Sequence, residues 1–303
     1  LTMKTNLMLK SLSFFAFVAL LFFASCQDDK IDFSANDSQN VENEAVSDAY
    51  YEDADDMSSI AVSSDATTLT GGRESEGGRK FTVKVSDLAK RFDCAVVTFE
   101  TDPSSSLETP KGTITIDFGT GCTDAKGNVR KGKIVINYTG RRFLSGSSVV
   151  TTFADYFING VKIEGTRTVT NTSASLESNP IFNIVVSGGK AIWPDATFAT
   201  REVNRTREWK RGTTPNVDQW IVSGTASGTN RNGRSYQMEI TKPLVYKREC
   251  AINDKVFIAV EGTKVLTVES KQVTIDYGDG ACDKLVTITV NGKSREVEVR
   301  GDI

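Results

Sequence analysis

Five cysteines and no histidine set the chemistry open to this chain. Four of the cysteines belong to an internal repeat. Thr115-Ile116-Asp117-Phe118-Gly119-Thr120-Gly121 recurs as Thr274-Ile275-Asp276-Tyr277-Gly278-Asp279-Gly280, and each copy runs into a cysteine, Cys122 or Cys282. Upstream, Cys94-Ala95 matches Cys250-Ala251. Four cysteines allow three pairings, and the repeat selects Cys94–Cys122 and Cys250–Cys282; four reduced, buried thiols are the alternative state. The same loops carry acids. Asp276, Asp279 and Asp283 offer oxygens to a calcium ion, and Asp117 and Asp124 are the counterparts in the first copy. Calcium takes roughly 6–8 oxygens, more than either loop supplies. The spacing therefore predicts a tight glycine turn whose aspartate bonds to backbone, with no metal and no cofactor.

The missing histidine removes Ser-His-Asp and Cys-His catalysis and the usual imidazole base. CxxC pairs, a P-loop and a dinucleotide fingerprint are also absent from the sequence. Carboxylate chemistry remains, since a glycosidase needs only two acids at the right separation. Residues 66–303 hold 27 Asp and Glu, and their spacing singles out no pair, so no catalytic residue is assigned. One stretch has the composition of a binding site. Arg201, Arg205, Arg207, Lys210 and Arg211 surround Trp209, with Trp193 and Trp220 nearby. Cations interleaved with aromatic rings hold anionic glycans or single-stranded nucleic acid. On alternating strands the same residues also make a solvated face over core tryptophans.

The fifth cysteine has a different setting. Lys4 and Lys10 precede an apolar run from Leu12 to Phe23, broken only by Ser13, and the small residues Ala24 and Ser25 lead to Cys26. That order of charge, apolar core and small residues predicts a signal peptide over 1–25. The run falls short of the roughly 20 residues a spanning helix needs. Phe23-Ala24-Ser25-Cys26 resembles the lipobox of bacterial lipoproteins, with Phe23 where leucine is usual. The resemblance implies that Cys26 becomes the mature N-terminus and carries a diacylglyceryl thioether and an N-acyl (palmitate-type) chain, the multiple acyl chains that stable anchoring requires. Gln27-Asp28-Asp29-Lys30 resembles the acidic export signal that follows the lipid cysteine in surface lipoproteins of the Bacteroidota. It implies an outer-membrane address facing the cell exterior. On such a protein the expected partners are the membrane, through the lipid, and an acidic glycan or envelope protein; nucleic acid is not expected.

These groups must be positioned by two unlike regions. Residues 1–25 carry +2 and residues 27–65 carry −11, so the whole-chain −3 leaves +6 on residues 66–303. The acidic segment 26–79 has the composition of a tether, ending in the glycine-rich stretch Gly71 to Gly78. Within it Val46, Tyr50, Ala54, Met57 and Ala61 recur at helical steps. They predict a helix over about 45–61 whose stripe docks on its own body, with docking on a partner as the alternative. From Lys80 to 303 the pattern changes to period two: Phe81, Val83 and Val85; Ile114 and Ile116; Ile134, Ile136 and Tyr138; Val273 and Ile275; Val286, Ile288 and Val290. Such alternation makes strands with one buried face. Asn159-Gly160, Gly188-Gly189, Asn232-Gly233 and Asn291-Gly292 read as hairpin turns. The expected fold is all-β, either an antiparallel β-sandwich or one large curved antiparallel sheet, of a dozen or more strands built from hairpins. The repeat (94–140 and 250–299) marks either two similar halves or one sheet with similarly built ends.

The repeat, the cysteine placement and the C-terminal Asp-Tyr-Gly-Asp-Gly-Ala-Cys-Asp before a Val-Asn-Gly hairpin resemble a group of uncharacterised Bacteroidota lipoproteins. The resemblance implies an envelope β protein and transfers no activity. The functional expectation is a non-enzymatic, lipid-anchored binding or structural module. A carboxylate-based glycoside hydrolase and a structural or lipid-shuttling envelope protein are the alternatives.

Overall fold

The computed structural model describes residues 48–54, 57, 58, 61, 80–84, 94–124 and 127–298. Cys26, the signal segment and the acidic export motif lie outside the described residues, as does the glycine-rich stretch before Lys80. Residues 48–54, 57, 58 and 61 are helical, here α1. Fifteen strands follow: β1 (Lys80–Lys84), β2 (Val96–Thr101), β3 (Lys111–Asp117), β4 (Cys122–Thr123), β5 (Val129–Thr139), β6 (Ser148–Ile158), β7 (Val161–Asn171), β8 (Ile181–Ile192), β9 (Phe198–Lys210), β10 (Gln219–Thr229), β11 (Ser235–Lys247), β12 (Glu261–Val268), β13 (Lys271–Asp279), β14 (Leu285–Val290) and β15 (Lys293–Glu298).

The fold is all-β and antiparallel. Of the two expected architectures, the single large sheet is the one formed. Each strand pairs with its neighbours in sequence, and only the short β4, paired with β5, lies off the path from β1 to β15. The two repeat copies therefore sit near opposite ends of one open sheet, β2–β5 at one end and β12–β15 at the other.

Alternation explains why one face is buried. Ile114 and Ile116 of β3, Ile134 and Ile136 of β5, Val273 and Ile275 of β13 and Val286, Ile288 and Val290 of β14 are all buried, and their sequence neighbours are not. Fourteen strands laid flat would span about 65 Å, far more than one helix roughly 10 Å across can cover. Yet the buried side chains from β2 to β14 form one cluster that includes α1, so the sheet must bend. β-bulges supply the bend, because an extra residue in one strand raises local twist and curvature. Register shifts occur between Lys131 and Lys133, Thr152 and Phe157, Glu164 and Thr166, Val186 and Gly189, and Val222 and Gly224. At the first of these a Cβ on Gly132 would lie 1.9 Å from the Asp155 carbonyl oxygen, so no other residue fits.

Gly188-Gly189 corrects the sequence reading. It is not a turn but the bulge inside β8, where Gly188 has φ +60° and a Cβ on Gly189 would meet the Arg201 carbonyl oxygen at 2.4 Å. The dipeptide has the same composition in a bulge as in a hairpin, because both need positive φ and close backbone approach. Asn159-Gly160 and Asn291-Gly292 do turn: both residues of each pair have positive φ, as a tight hairpin requires. Asn232-Gly233 also lies in a turn, between β10 and β11.

The repeat loops are glycine turns. Asp117 accepts the Gly119 N–H at 2.8 Å, and Asp276 accepts the Gly278 N–H at 2.8 Å. Asp283 accepts the Leu285 N–H at 3.0 Å. Among the described residues no group of three or more Cys, Asp or Glu is placed to hold a metal ion. Both disulfides join the cysteines the repeat selects, Cys94–Cys122 and Cys250–Cys282. The second copy has a small core of its own, where Cys250, Val256 and Val260 are buried together beside Cys282.

Helix α1 docks on the buried face. Tyr50, Ala54, Met57 and Ala61 are each at most 5 % exposed, and all lie in the main cluster. Tyr51 sets its ring edge-on to Phe153, with centroids 6.1 Å apart, and donates to the Glu164 carbonyl at 2.5 Å. Ser58 meets Thr151 of β6 at 3.0 Å. No helix among the described residues is long and apolar enough to cross a membrane.

Candidate functional site

β9 carries most of the basic strip on one face. Strand alternation puts Arg201, Val203, Arg205, Arg207 and Trp209 on the side that receives α1. The helix answers with acids one turn apart, Asp48 and Glu52. Arg201, 1 % exposed, donates to Asp48 at 2.6 Å, and Arg205 bonds both oxygens of Asp48 at 3.0 Å. Arg207 donates to one oxygen of Glu52 at 2.8 Å, and Arg167 of β7 lies 3.6 Å from the other. Across the apolar stripe Asp53 takes a two-pronged contact from Arg130 of β5 at 3.0 Å, and Arg130 also donates to Asp124. The anion facing most of the basic strip is thus this protein's own helix. Burial raises the pKa of Asp48, but the charges of Arg201, Arg205 and Lys264 outweigh it and hold the carboxyl far below its ordinary range. For Glu52 burial also raises the pKa, and Arg207 and Arg167 outweigh it to bring the group below its usual value.

Lys210 and Arg211 separate from this set. Lys210 is exposed at the end of β9, and the Arg211 guanidinium lies 5.4 Å from the Trp209 ring. Trp193 is also elsewhere, at the opposite end of β9 beneath Arg231 at 4.7 Å. Trp220, by contrast, stands directly opposite Trp209 in the β9–β10 register and opposite Tyr246 in the β10–β11 register.

Beyond the helix, at the end of the sheet where Trp209 and Trp220 meet, lies a groove of about 290 Å3. Phe143, Phe182, Trp209 and Trp220 supply rings, and Arg142, Arg207 and Arg248 supply guanidinium groups; none of its described lining residues is a carboxylate. The β5–β6 turn forms one wall. Asn171 donates to the Arg142 carbonyl at 2.9 Å and Ser147 to the same oxygen at 3.1 Å. Phe143 stands 43 % exposed, with its ring 5.8 Å from Trp209 and 6.4 Å from Phe182. Arg142 lies 5.8 and 5.9 Å from the Phe143 and Phe182 rings. Trp209 Nε1 is buried without a hydrogen-bond partner, an arrangement that costs about 1–3 kcal/mol. Arg142, Phe143, Phe182 and Arg248 went unmarked in the sequence because they come from a turn, a neighbouring strand and the residue after β11. Only Trp209, Arg207 and Trp220 carried a signal.

The carboxylates of a hydrolase would have to lie elsewhere. A wider depression of about 790 Å3 over β8–β13 includes Glu202 and Glu239 in its lining. They sit two strands and two residues apart, roughly 12 Å between Cα atoms from sheet spacings, and Glu202 already accepts the Gly188 N–H at 2.8 Å.

Two buried tyrosines, Tyr50 and Tyr51, and the partly buried Tyr246 give the helix-bearing face a measurable signature. Burial pushes Tyr50 and Tyr246 up to about 12, and burial likewise raises Tyr51. A raised phenol contributes stability in full below the unfolded value of about 10, and the contribution is lost as pH rises from there towards 12. In an ultraviolet titration these three phenols should therefore ionise only in an alkaline unfolding step. Smooth ionisation of all seven tyrosines near the ordinary value, with the fold intact, would contradict the burial. Compared with protein-family models, with curated proteins and with solved structures, the chain finds no match.

Proposed function

We propose that this chain is a lipid-anchored outer-membrane protein, facing the cell exterior, that binds a glycan or another envelope component and does no chemistry on it. The observation that carries the reading is the groove at the Trp209 end of the sheet. It offers four aromatic rings and three guanidinium groups, with no carboxylate among its described lining residues. A recess with that lining recognises a ligand but lacks the acid pair that glycoside hydrolysis needs. The lipobox-like Phe23-Ala24-Ser25-Cys26 and the acidic residues after it support the address.

The test has two arms. Cys26→Ser should move the protein from the membrane fraction to the soluble one, and protease added to intact cells should remove the body; retention in the membrane or full protection would overturn the address. On a glycan array the wild-type chain should retain at least one glycan class that Trp220→Ala does not, and the glycan should be recovered uncut. Shortened glycan would point to the hydrolase instead, and binding unchanged by Trp220→Ala would remove the groove from the reading.

A further inference from the structure

We propose that the depression over β8–β13 is a second binding site, separate from the groove, and that it takes a polysaccharide bearing free amino groups, a glucosamine-type chain laid across the strands.

The floor is built by register. Asn204, Thr225, Glu239 and Val265 stand directly opposite one another on β9, β10, β11 and β12. Two residues along each strand, Glu202, Ser227, Gln237 and Thr267 make a second row, which Gln272 extends to β13. Val203, Ala226, Met238 and Leu266, the residues between the rows, are buried in the main cluster with α1. Both rows therefore cover the face turned away from the helix. Each of the strands from β8 to β13 pairs on both sides, so the backbone is committed to the ladders and recognition falls to side chains. An extended peptide would find no main-chain partner here.

Size and polarity fit a short oligosaccharide. About 790 Å3 lies within the roughly 300–1,000 Å3 of ligand sites, and six strands span about 24 Å. The rows consist mostly of hydroxyl and amide groups, which both donate and accept. Among the described residues, Ser227, Gln237, Thr267 and Gln272 make no side-chain hydrogen bond within the protein. None of the described lining residues is aromatic, so a nucleobase has nothing to stack on. A sugar chain, with hydroxyl groups along both edges, has the matching groups.

Charge then selects among sugars. Glu202 and Glu239 are exposed, and none of the described lining residues is lysine or arginine. Lys190, opposite Thr200 beside the recess, holds its ammonium 4.4 Å from the Phe198 ring. Glu202 accepts the Gly188 N–H through Oε1 at 2.8 Å, which orients the carboxylate and leaves Oε2 to a ligand. With roughly 12 Å between their Cα atoms, the two carboxylates suit ammonium groups on different rings of one chain rather than a single small cation. A neutral glycan would leave both charges without a counterpart, and a uronate or phosphate would be repelled. A simple polyamine would meet the charges and leave the hydroxyl and amide rows unused.

Calorimetric titration tests the site. The full chain, purified in detergent, is titrated at about pH 6, above the ordinary carboxylate range, with tetraglucosamine, with its fully N-acetylated neutral counterpart and with spermidine. Tetraglucosamine should bind at least about tenfold tighter than the acetylated chain, the scale of one charge-assisted contact, and be recovered uncut. Glu239→Gln and Glu202→Gln should each weaken it about tenfold, with melting temperatures unchanged, whereas Trp220→Ala should leave it unaltered. Equal affinity for the free and acetylated chains would refute the amino group as the recognised feature. Tighter binding of spermidine would refute the sugar. Binding lost in Trp220→Ala but kept in both glutamate variants would assign the ligand to the groove and refute this site. Absence of binding by all three probes would also refute it, and none of these results bears on the glycan-array test of the groove.

Discussion

Asp48→Ala should destabilise the fold by about 3 kcal/mol, the lower end of the cost of removing one partner from a buried ion pair. The lower end applies because Asp48 keeps 27 % exposure, while Arg201 keeps 1 % and loses its 2.6 Å contact with that carboxylate. Arg205 loses both of its bonds to the same carboxylate. A second change discriminates a charge effect from a packing effect. Arg201→Met added to Asp48→Ala should recover much of the loss, since an apolar side chain of similar length removes the buried cation whose carboxylate is gone. Denaturant unfolding of the four proteins in the cycle measures this. A double variant no better than the single one would mean that the arginine's packing, not its charge, is what the helix needs. The pH dependence has a definite sign. The folded-state pKa of Asp48 lies below its unfolded value of about 3.9. The carboxylate's contribution is thus complete above that value and is lost as pH falls through it. Asp48→Asn should flatten the acid limb of the stability curve below about pH 4.

The second large effect belongs to the disulfides. Closing loops of 28 and 32 residues should contribute about 3.6 kcal/mol each through the restricted unfolded chain. The two bonds differ in access. Cys94 is exposed, whereas Cys250 is fully buried in the small core with Val256 and Val260. Since exchange needs an attacking thiolate to reach a sulfur, mild reductant should open Cys94–Cys122 first. Cys250→Ser with Cys282→Ser should lower stability by the full amount and also leave polar oxygens in that core. Mass mapping after timed reduction, paired with melting curves, checks both points. Simultaneous opening of the two bonds would show that the small core gives Cys250 no protection.

Several of these features were legible in the sequence for physical reasons. A stripe at 50, 54, 57 and 61 has only one use, burial of one helix face, and the helix does dock. The cysteine pairs followed from the repeat because the two copies build the same strand–turn–strand unit. The clasp between helix and sheet was not legible. Arg201, Arg205 and Arg207 on alternate positions announce one basic face, and Asp48 and Glu52 announce an acidic one, but long-range pairing leaves no mark in local spacing. The strip therefore read as a solvated face over core tryptophans or as a site for an outside anion. The groove was half hidden for the same reason: its tryptophans lie in one stretch of sequence, while Phe143 and Arg248 reach it from a turn and from beyond β11. Gly188-Gly189 failed differently, because turns and bulges ask the same thing of a backbone.

The order of the strands has a temporal consequence. Every strand on the path finds its partner in the segment made just before it, so the sheet can grow by addition as the chain emerges N-terminus first. Contacts this local favour rapid assembly. Helix α1 is the exception. It emerges before any of the described strands, yet the arginines that hold Asp48 and Glu52 on β9 lie 153 to 157 residues further on. The first of the described elements is thus secured in stages, by β5 to β7 first and by β9 only later. Until β9 arrives, Asp48 and Glu52 lack those arginines, and the acidic face of the helix waits beside a half-built sheet.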